Sequence, residues 1–355
     1  MNHYTVGVEQ EFLLVDPDSR RPVALAPRVR EISRAPGDLD VQGELTPFQI
    51  EIATGVTSSF DELSEQVRLG RRVLVDAADE TGCRLVATGM PPIGEAGPPP
   101  GSDDGRYHRI EYSHRRLVTG TGACGLHVHV GVSSSSEALA ASNKLRAWLP
   151  TLLALSANSP YSQGEDTGYA SWRSMVWSRW PVSGPPPFWH GPADYDRTVE
   201  ALISSEALMD RAMVYWDVRP SADHPTVEVR VADIPQLATE VVVLAELVRA
   251  LVVTEPSEQR VDDSVLRAAY WRASRDGVDG LAADPHTGKL SPAFDRAASL
   301  VEHVAVALRD RGTLSTVEQQ LDWLRHNGCG AARQRRYPDP ESLVDMLIAR
   351  TREET

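Results

Sequence analysis

The stretch YTVGVEQEFLL, residues 4–14, alternates apolar side chains with polar or small ones. Successive side chains of a β-strand point to opposite faces, so this alternation predicts a strand with one buried and one wet face. The buried face would carry Val6, Val8, Phe12 and Leu14, and the other face Gly7, Glu9, Glu11 and Leu13. The wet side of the predicted strand therefore presents two carboxylates, spaced two residues apart.

Three further stretches repeat the alternation. Residues 48–53 read FQIEIA, residues 124–132 read CGLHVHVGV, and residues 226–231 read TVEVRV. A sheet with one apolar face packs that face on helices, so neighbouring strands of this kind would leave one polar, concave face. That face would collect Glu9, Glu11, Glu51, His127, His129, Glu228 and Arg230. A short fifth strand is predicted over residues 84–88.

Much of the remaining chain has apolar residues at the spacing of an α-helix. Helices are predicted over residues 61–82, 106–119, 136–158, 194–211, 236–254, 292–311, 315–326 and 339–352. Ser58 or Asp61 would cap the first of them, and Gly82 would end it. Residues 89–105 and 159–192, rich in Gly and Pro, are predicted to be loops. Since no repeat and no Gly/Ser linker divides the chain, we expect one domain over residues 1–355.

Composition excludes several classes of protein. The 355 residues carry a formal net charge of −14, which argues against nucleic acid and anionic membranes as partners, because both bind basic surfaces. The sequence contains no stretch of about 18 apolar residues, so no membrane span is predicted. The N-terminus lacks the pattern of a signal peptide. Cys83, Cys124 and Cys329 are widely spaced without a Cys-x-x-Cys motif. They predict reduced thiols in a cytoplasmic protein and no zinc site.

The polar face of the predicted sheet is a candidate metal site. Carboxylates this close raise each other's pKa, and divalent cations relieve the repulsion. Oxygen ligands with one or two imidazoles suit Mg²⁺ or Mn²⁺, and the lack of thiolates argues against Zn²⁺. Each motif alone also has a structural interpretation: a solvated strand face for Glu-x-Glu, structural histidines for His-x-His, and a surface ion pair for Glu-x-Arg. Their joint presence on matching strand faces favours a metal-dependent site.

Five segments, in this order, resemble the carboxylate–amine ligases of the glutamate–cysteine ligase type 2 family. They read GVEQEF, GELTPFQIE, CGLHVHVGV, SANSPYSQGEDTGYASWRSMVWSRWP and TVEVRVADIP. The resemblance extends from about residue 4 to about residue 337, where NGCGAARQRRY looks like the last family motif. That family belongs to the glutamine synthetase-like superfamily. The resemblance implies an α+β fold with a curved, mostly antiparallel sheet, helices packed on one face and the active site on the other.

The resemblance also implies roles for single residues. The acids Glu9 and Glu11 would be divided between two metal sites, and Glu44 and Glu51 would bind the metal nearer the amino-acid substrate. Pro47 interrupts the strand of Glu44, so spacing alone does not fix where that side chain points. The metal ligands implied are Glu9, Glu11, Glu44, Glu51, His127 and Glu228. Of the remaining polar residues, His129 would lie near substrate or nucleotide, and Arg230 would contact the transferred phosphate.

The implied reaction joins a carboxylate to an amine at the expense of ATP, with Mg²⁺ or Mn²⁺. An acyl phosphate would form on the γ-carboxylate of glutamate, and cysteine is the default amine. Phosphoryl transfer spreads negative charge over oxygens, which metals and an arginine stabilise. The sequence has no Walker-type phosphate loop, which fits phosphates held by metals. Further candidates to bind carboxylate or phosphate are Arg173, Arg179 and Arg219, although arginines also pair and stack without catalytic duty.

Three alternatives stay open at this point. The same chemistry could use another amine in a specialised pathway. A metal-dependent amide hydrolase could use the same acids, but it has no need of Arg230 on a γ-phosphate. A silent binding protein would normally lack some of the ligands. The resemblance further implies a homodimer acting on small molecules, and two-fold dimers are the commonest assembly.

Overall fold

The computed structural model describes residues 4–94, 105–120, 122–255 and 260–355. Its strands are β1 Val6–Val15, β2 Asp40–Gly43, β3 Gln49–Ala53, β4 Arg84–Val86, β5 Gly125–Gly131, β6 Tyr161–Ser162, β7 Glu165–Asp166, β8 Ser183–Gly184, β9 Tyr215–Trp216, β10 Val218–Pro220, β11 Thr226–Asp233, β12 Leu281–Ala283 and β13 Leu290–Pro292. Its α-helices are α1 Ala26–Ile32, α2 Phe60–Glu80, α3 Gly105–His114, α4 Ser135–Leu145, α5 Leu149–Ser156, α6 Trp172–Trp177, α7 Pro192–Ser204, α8 Ala238–Val253, α9 Asp263–Asp276, α10 Ala293–Asp310, α11 Leu314–Asn327, α12 Gly330–Gln334 and α13 Pro340–Glu353.

One seven-stranded antiparallel sheet organises the molecule. Its strand order is β10-β11-β5-β1-β3-β2, and β4 pairs with the last residues of β1. The long strand β1 is central, with β5 on one side and β3 on the other. This architecture confirms the predicted α+β class with a mainly antiparallel sheet.

Helices cover the apolar face of the sheet, as the alternating pattern predicted. Helix α8 is buried along nearly its whole length, between strands β1 and β5 and the helices α2, α10 and α11. The polar side chain that β1 turns to this face, Gln10, accepts a hydrogen bond through Oε1 from the buried Arg71 at 3.0 Å. Burial of the apolar face leaves the opposite face free to carry the polar residues.

The predicted helix over residues 136–158 is wrong, because the chain forms two helices there. Helix α4 ends at Leu145, and α5 begins at Leu149 with Pro150 in its first turn. Proline lacks a backbone N–H and is tolerated at a helix start but not in the interior. The chain turns at Arg146, whose guanidinium is buried against the Pro186 carbonyl and Asp263.

Several other boundaries differ from the predictions. The N-cap of α2 is Ser59, whose hydroxyl accepts a hydrogen bond from the Glu62 N–H, rather than Ser58 or Asp61. The helix predicted over 106–119 ends at His114 and continues as a 3-10 turn, and the one predicted over 194–211 ends at Ser204. The pattern missed α1 and α9. Part of the loop predicted over 89–105, residues 95–104, lies outside the described residues.

The segment 159–192, predicted as one loop, contains β6, β7, α6 and β8. Its elements are two to six residues long, too short for periodicity to reveal. Within the described ranges, no helix has both the length and the apolar character that a membrane crossing requires. Cys83, Cys124 and Cys329 are free and buried. The single domain over residues 1–355 stays a prediction.

Candidate active site

A cavity of about 340 Å³ lies over the polar face of the sheet. It is lined by nearly all the site residues predicted from the sequence: Glu9, Glu11, Glu44, Glu51, His127, His129, Arg173, Arg219, Glu228 and Arg230. Arg179 is the exception. It is exposed just after α6, where its Nε donates to the Val176 carbonyl at 3.0 Å, and it does not line this cavity.

Strand register explains how residues distant in sequence meet. Glu9 on β1 stands opposite His127 on β5, and Glu11 stands opposite Glu51 on β3. On the other side of β5, His129 stands opposite Glu228 of β11. Directly opposed side chains of an antiparallel pair lie within about 5.5 Å at Cβ, so the register forces these groups together.

The polar groups form three overlapping clusters in which every potential ligand atom lies within 4.8 Å of the others. The clusters are Glu11, Glu44 and Glu51; Glu9, Glu51 and His127; and Glu9, His129 and Glu228. Glu44 points into the first cluster although Pro47 separates it from β3. His129, expected near substrate or nucleotide, shares the third cluster with two carboxylates.

Both imidazoles are oriented by neighbours. The Nδ1 of His127 lies 2.7 Å from Glu9 Oε2, and the Nδ1 of His129 lies 2.9 Å from Thr226 Oγ1. The Nε2 of His127 lies 3.4 Å from Glu11 Oε1, and the Nε2 of His129 lies 3.1 Å from Glu9 Oε1. Neither Nε2 makes a well-directed hydrogen bond to a described residue, and both are buried. Buried imidazole nitrogens beside carboxylates, without a hydrogen bond, are the donor set that a divalent cation completes.

Crowded acids define one end of the cavity. Burial, and then the charge of Glu11, raises the pKa of Glu44 to about 7. Burial, reinforced by the charges of Glu44, Glu9 and Glu11, raises the pKa of Glu51 well above its ordinary range. Glu11 is fixed differently, because its Oε2 accepts a hydrogen bond from the Gly125 N–H at 2.5 Å. A cation in this cluster would stabilise the ionised carboxylates.

Cationic neighbours define the other end. Burial alone would raise the pKa of Glu228, but the charges of Arg230 and Arg219 bring it far below the ordinary range. Likewise the desolvation of Glu9, which would raise its pKa, is outweighed by the adjacent imidazoles of His127 and His129, which lower it. Burial would lower the pKa of His129, and contact with Glu9 raises it instead. The carboxylates of Glu228 and Glu9 are therefore ionised at neutral pH.

The three arginines of the cavity differ in how much donor capacity they have left. Arg219 is committed, with hydrogen bonds to Glu228 at 2.7 and 3.2 Å and to the Val214 carbonyl at 2.6 Å. Arg230 contacts Glu228 through Nη1, and its buried Nε has no hydrogen-bond partner among the described residues. Arg173 donates to the Arg230 carbonyl at 3.3 Å. Arg230 and Arg173 thus each keep a buried Nε without a hydrogen-bond partner among the described residues, whereas Arg219 is engaged through all three guanidinium nitrogens.

The sequence pattern missed Asp233, at the end of β11. This carboxylate is fully buried and accepts hydrogen bonds from the Asn158 N–H at 2.8 Å, the Ser159 hydroxyl at 2.7 Å and the Ser171 hydroxyl at 2.8 Å. It fastens the segment before α6 to the strand of Glu228 and so places Arg173 over the sheet. In the sequence, the only indication of a buried role for Asp233 was its position at the end of an apolar run, in VADIP at residues 231–235.

A second, larger cavity of about 480 Å³ adjoins the first. It lies along the start of β1 and the end of β5, with a mainly apolar lining that includes Val6, Val8, Val56 and Val132. Glu9, His129 and His224 line both cavities. The larger cavity therefore meets the smaller one at the third acidic cluster.

Comparison with known proteins gives consistent matches along most of the chain. Residues 5–342 match the family described as Glutamate-cysteine ligase family 2. A protein of Saccharopolyspora erythraea, provisionally assigned as glutamate–cysteine ligase 2-1, is 45% identical over 98% of this chain and 94% of its own length. A protein of Mycobacterium sp. strain KMS, provisionally assigned as glutamate–cysteine ligase 2-2, is 46% identical over 94% of this chain and 93% of its own length.

Solved structures show the same fold at low identity. The glutamate–cysteine ligase of Francisella tularensis in complex with AMP matches with a TM-score of 0.67 and 12% identity, over 99% of this chain and 89% of that one. A bifunctional glutathione synthetase from Pasteurella multocida matches with a TM-score of 0.70 and 13% identity, over 98% of this chain and 52% of that one. At these identities the likeness concerns the fold alone.

Proposed function

Because the chain belongs to glutamate–cysteine ligase family 2 and is an ATP-dependent carboxylate–amine ligase, we propose that the cavity over the sheet is its active site. The proposed reaction joins the γ-carboxylate of glutamate to an amine through an acyl phosphate. The observation that carries the proposal is the set of three overlapping acidic clusters with Arg230 beside them. Plain metal-assisted hydrolysis has no use for a spare buried guanidinium at such a site.

The donor set fits divalent metal. Six carboxylate and imidazole residues expected from the sequence, together with His129, supply oxygen and nitrogen atoms at ligand distances from one another. Mg²⁺ prefers such oxygen-rich sites, and Mn²⁺ accepts them with imidazole. The ligands proposed are Glu9, Glu11, Glu44, Glu51, His127, His129 and Glu228. When bound, the metal would neutralise phosphate oxygens and the crowded carboxylates.

The arginines would divide the remaining work. We propose that Arg230 contacts the transferred phosphate, since its buried Nε has no hydrogen-bond partner among the described residues and its Nη1 contacts Glu228, a proposed metal ligand. Arg219 would act as a positioning residue, because its contacts hold the Glu228 carboxylate in place. Arg173 would stand beside Arg230. Arg179, exposed outside the cavity, has no part in the proposal.

ATP would bind with its adenosine in the larger cavity and its phosphates towards Glu9 and His129. That cavity is mostly apolar and opens onto the third cluster, which suits a planar base followed by a charged tail. A γ-carboxylate oxygen of glutamate attacks the γ-phosphorus, and ADP leaves. The amine then attacks the acyl carbon, loses a proton, and phosphate leaves with the former carboxylate oxygen. Arg230 stabilises the charge that develops during the first step.

Cysteine is the proposed amine, in line with the names of the relatives. The proposal includes the cytoplasm as the location, where ATP and reduced thiols are available, and a homodimer as the assembly. The short edge strand β2, largely exposed, is a natural contact for a second copy.

ADP release from ATP and Mg²⁺ tests the proposal. We expect release only with glutamate present, and a further rise with cysteine or with one amine from a panel. The unmodified protein without glutamate is the control for ATPase background. If no acid stimulates ADP release with either Mg²⁺ or Mn²⁺, the active-ligase proposal is wrong.

A further inference from the structure

A third cavity, of about 190 Å³, lies beside the active-site cavity. Its walls come from α6, β8 and α9, and both Arg173 and Trp177 line it as well as the active site. Helix α6, within the segment predicted as a loop, therefore borders both cavities. The smaller one has no role in the chemistry described so far.

The buried carboxylate of Asp217 lies in this small cavity. Asp217 is 7% exposed, and no arginine or lysine of the described residues forms an ion pair with it. The Tyr270 side chain faces it, and burial raises the pKa of Asp217 to about 6, against the opposing effect of Arg173. A buried carboxylate normally has a cationic partner. The charge of Arg173 acts on Asp217 from beyond ion-pair distance, and no cation of the described chain contacts the carboxylate, which leaves room for a cation supplied by a ligand.

A second charged group lies at the same cavity. Arg267 on α9 is exposed and lines the cavity, with no ion pair to any described residue. Between the two charges the lining is apolar or aromatic, with Met175, Trp177 and Trp271, and serine hydroxyls. The buried Nε of Arg173 also has no hydrogen-bond partner among the described residues. The cavity thus offers a buried anion, a cation nearer the surface and apolar walls between them.

Asp217 is connected directly to the catalytic strand. The Arg230 N–H donates to the Asp217 carbonyl at 2.8 Å, just before β10 pairs with β11. Arg219, which holds Glu228, is two residues further along the chain. A cation bound at Asp217 would therefore lie next to the arginine proposed to meet the transferred phosphate.

We propose that this cavity is the acceptor subsite and binds an L-α-amino acid with a small side chain, its ammonium on Asp217 and its carboxylate on Arg267. The volume and the two opposite charges match such a zwitterion, and an amine without a carboxylate would use only half of the site. This inference rests on the proposed function, because it concerns the second substrate of the same reaction.

The test separates formation of the acyl phosphate from binding of the acceptor. Hydroxylamine is small and uncharged at pH 7.5, so it traps the γ-glutamyl group without needing an ammonium or carboxylate subsite. For Asp217→Asn we expect γ-glutamyl hydroxamate formation from ATP and glutamate within about twofold of the unmodified protein. The KM for cysteine should rise at least about tenfold, as expected when a charged hydrogen-bond partner is lost.

Arg267→Ala provides a surface variant that does not disturb the core. We expect its KM for cysteine to rise about fivefold or more, while the KM for cysteamine, which lacks the carboxylate, stays unchanged. Asp295→Asn and Arg309→Ala, both exposed on α10, are matched controls that should alter neither constant.

The outcomes distinguish the two levels of the argument. If the unmodified protein forms no hydroxamate, the proposed ligase function fails. If it forms hydroxamate but no α-amino acid stimulates ADP release, the acceptor assignment is overturned. The assignment is also overturned if both variants keep the KM for cysteine, or if Asp217→Asn loses hydroxamate formation in parallel with the cysteine reaction.

Discussion

Replacing Glu44 with Gln removes one carboxylate from the cluster with Glu11 and Glu51. Its folded-state pKa of about 7 lies above its ordinary value of 4.5. For a group with a raised folded-state pKa, the stability contribution is present below the unfolded value and is lost as pH rises towards the folded value. Because the unfolded chain ionises at Glu44 while the folded chain keeps the proton, the metal-free protein loses stability increasingly from about pH 4.5 to about pH 7.

The magnitude follows from the shift. At about 1.36 kcal/mol per pKa unit, the change from 4.5 to about 7 corresponds to about 3 kcal/mol. The Glu44 side chain is partly exposed, so solvent screening reduces this to about 1–2 kcal/mol. With an unfolding entropy of about 2.1 cal/mol/K per residue, a chain of 355 residues gains about 2 °C in Tm.

Thermal unfolding in EDTA measures this effect directly. We expect Glu44→Gln to melt about 2 °C above the unmodified protein at pH 8, with a smaller difference at pH 5. Glu318→Gln, at an exposed position of α11, is the matched control and should show no such dependence. A lower Tm for Glu44→Gln at pH 8, or an equal gain at both pH values, would refute the electrostatic reasoning.

Metal should reverse the sign of the Glu44 effect. Mg²⁺ at about 100 times its Kd stabilises a folded protein by about 2.7 kcal/mol, so the unmodified protein should gain about 3–4 °C. Glu44→Gln should gain clearly less, because a ligand is missing. An equal gain in both proteins would place the metal away from this cluster.

Three further substitutions test the site. Glu9→Gln removes an acid shared by two clusters, and should lower glutamate-dependent ADP release at least about a hundredfold while the far-UV circular dichroism spectrum is retained. Gly125→Ala places a Cβ against the Arg173 guanidinium, and should lower kcat about tenfold, whereas Gly43→Ala, with open space around it, should not. Arg230→Lys keeps the charge but loses the planar donor pair, and should lower kcat at least about tenfold with little change in the KM for glutamate. An unchanged kcat in any of the three would contradict the role given to that residue.

The alternation of single strands predicted which side chains share a face, because side-chain direction in a strand has a period of two. It did not predict the order of strands, which depends on pairing between distant segments. Glu9 meets His127, and Glu11 meets Glu51, only because β1 lies between β3 and β5. The grouping into three clusters is therefore a property of the sheet and is absent from any single motif.

The features that sequence reasoning missed are tertiary. Asp217 and Asp233 are single acids in otherwise ordinary segments, and their environments are created by α6, α9 and the turn around Ser159. Arg173 and Arg179 lie six residues apart, and nothing in the sequence favoured either as a ligand-binding residue. The helix α6 turns only Arg173 towards the sheet and leaves Arg179 exposed.

The most direct test of the central claim follows an oxygen atom. Glutamate labelled with ¹⁸O in its γ-carboxylate is incubated with ATP, Mg²⁺, cysteine and the protein, and the inorganic phosphate is analysed by mass spectrometry. Because the carboxylate attacks the γ-phosphorus, the account predicts one ¹⁸O atom in each phosphate released during amide formation. Unlabelled phosphate would show that water attacks ATP, and it would contradict an acyl phosphate at this site.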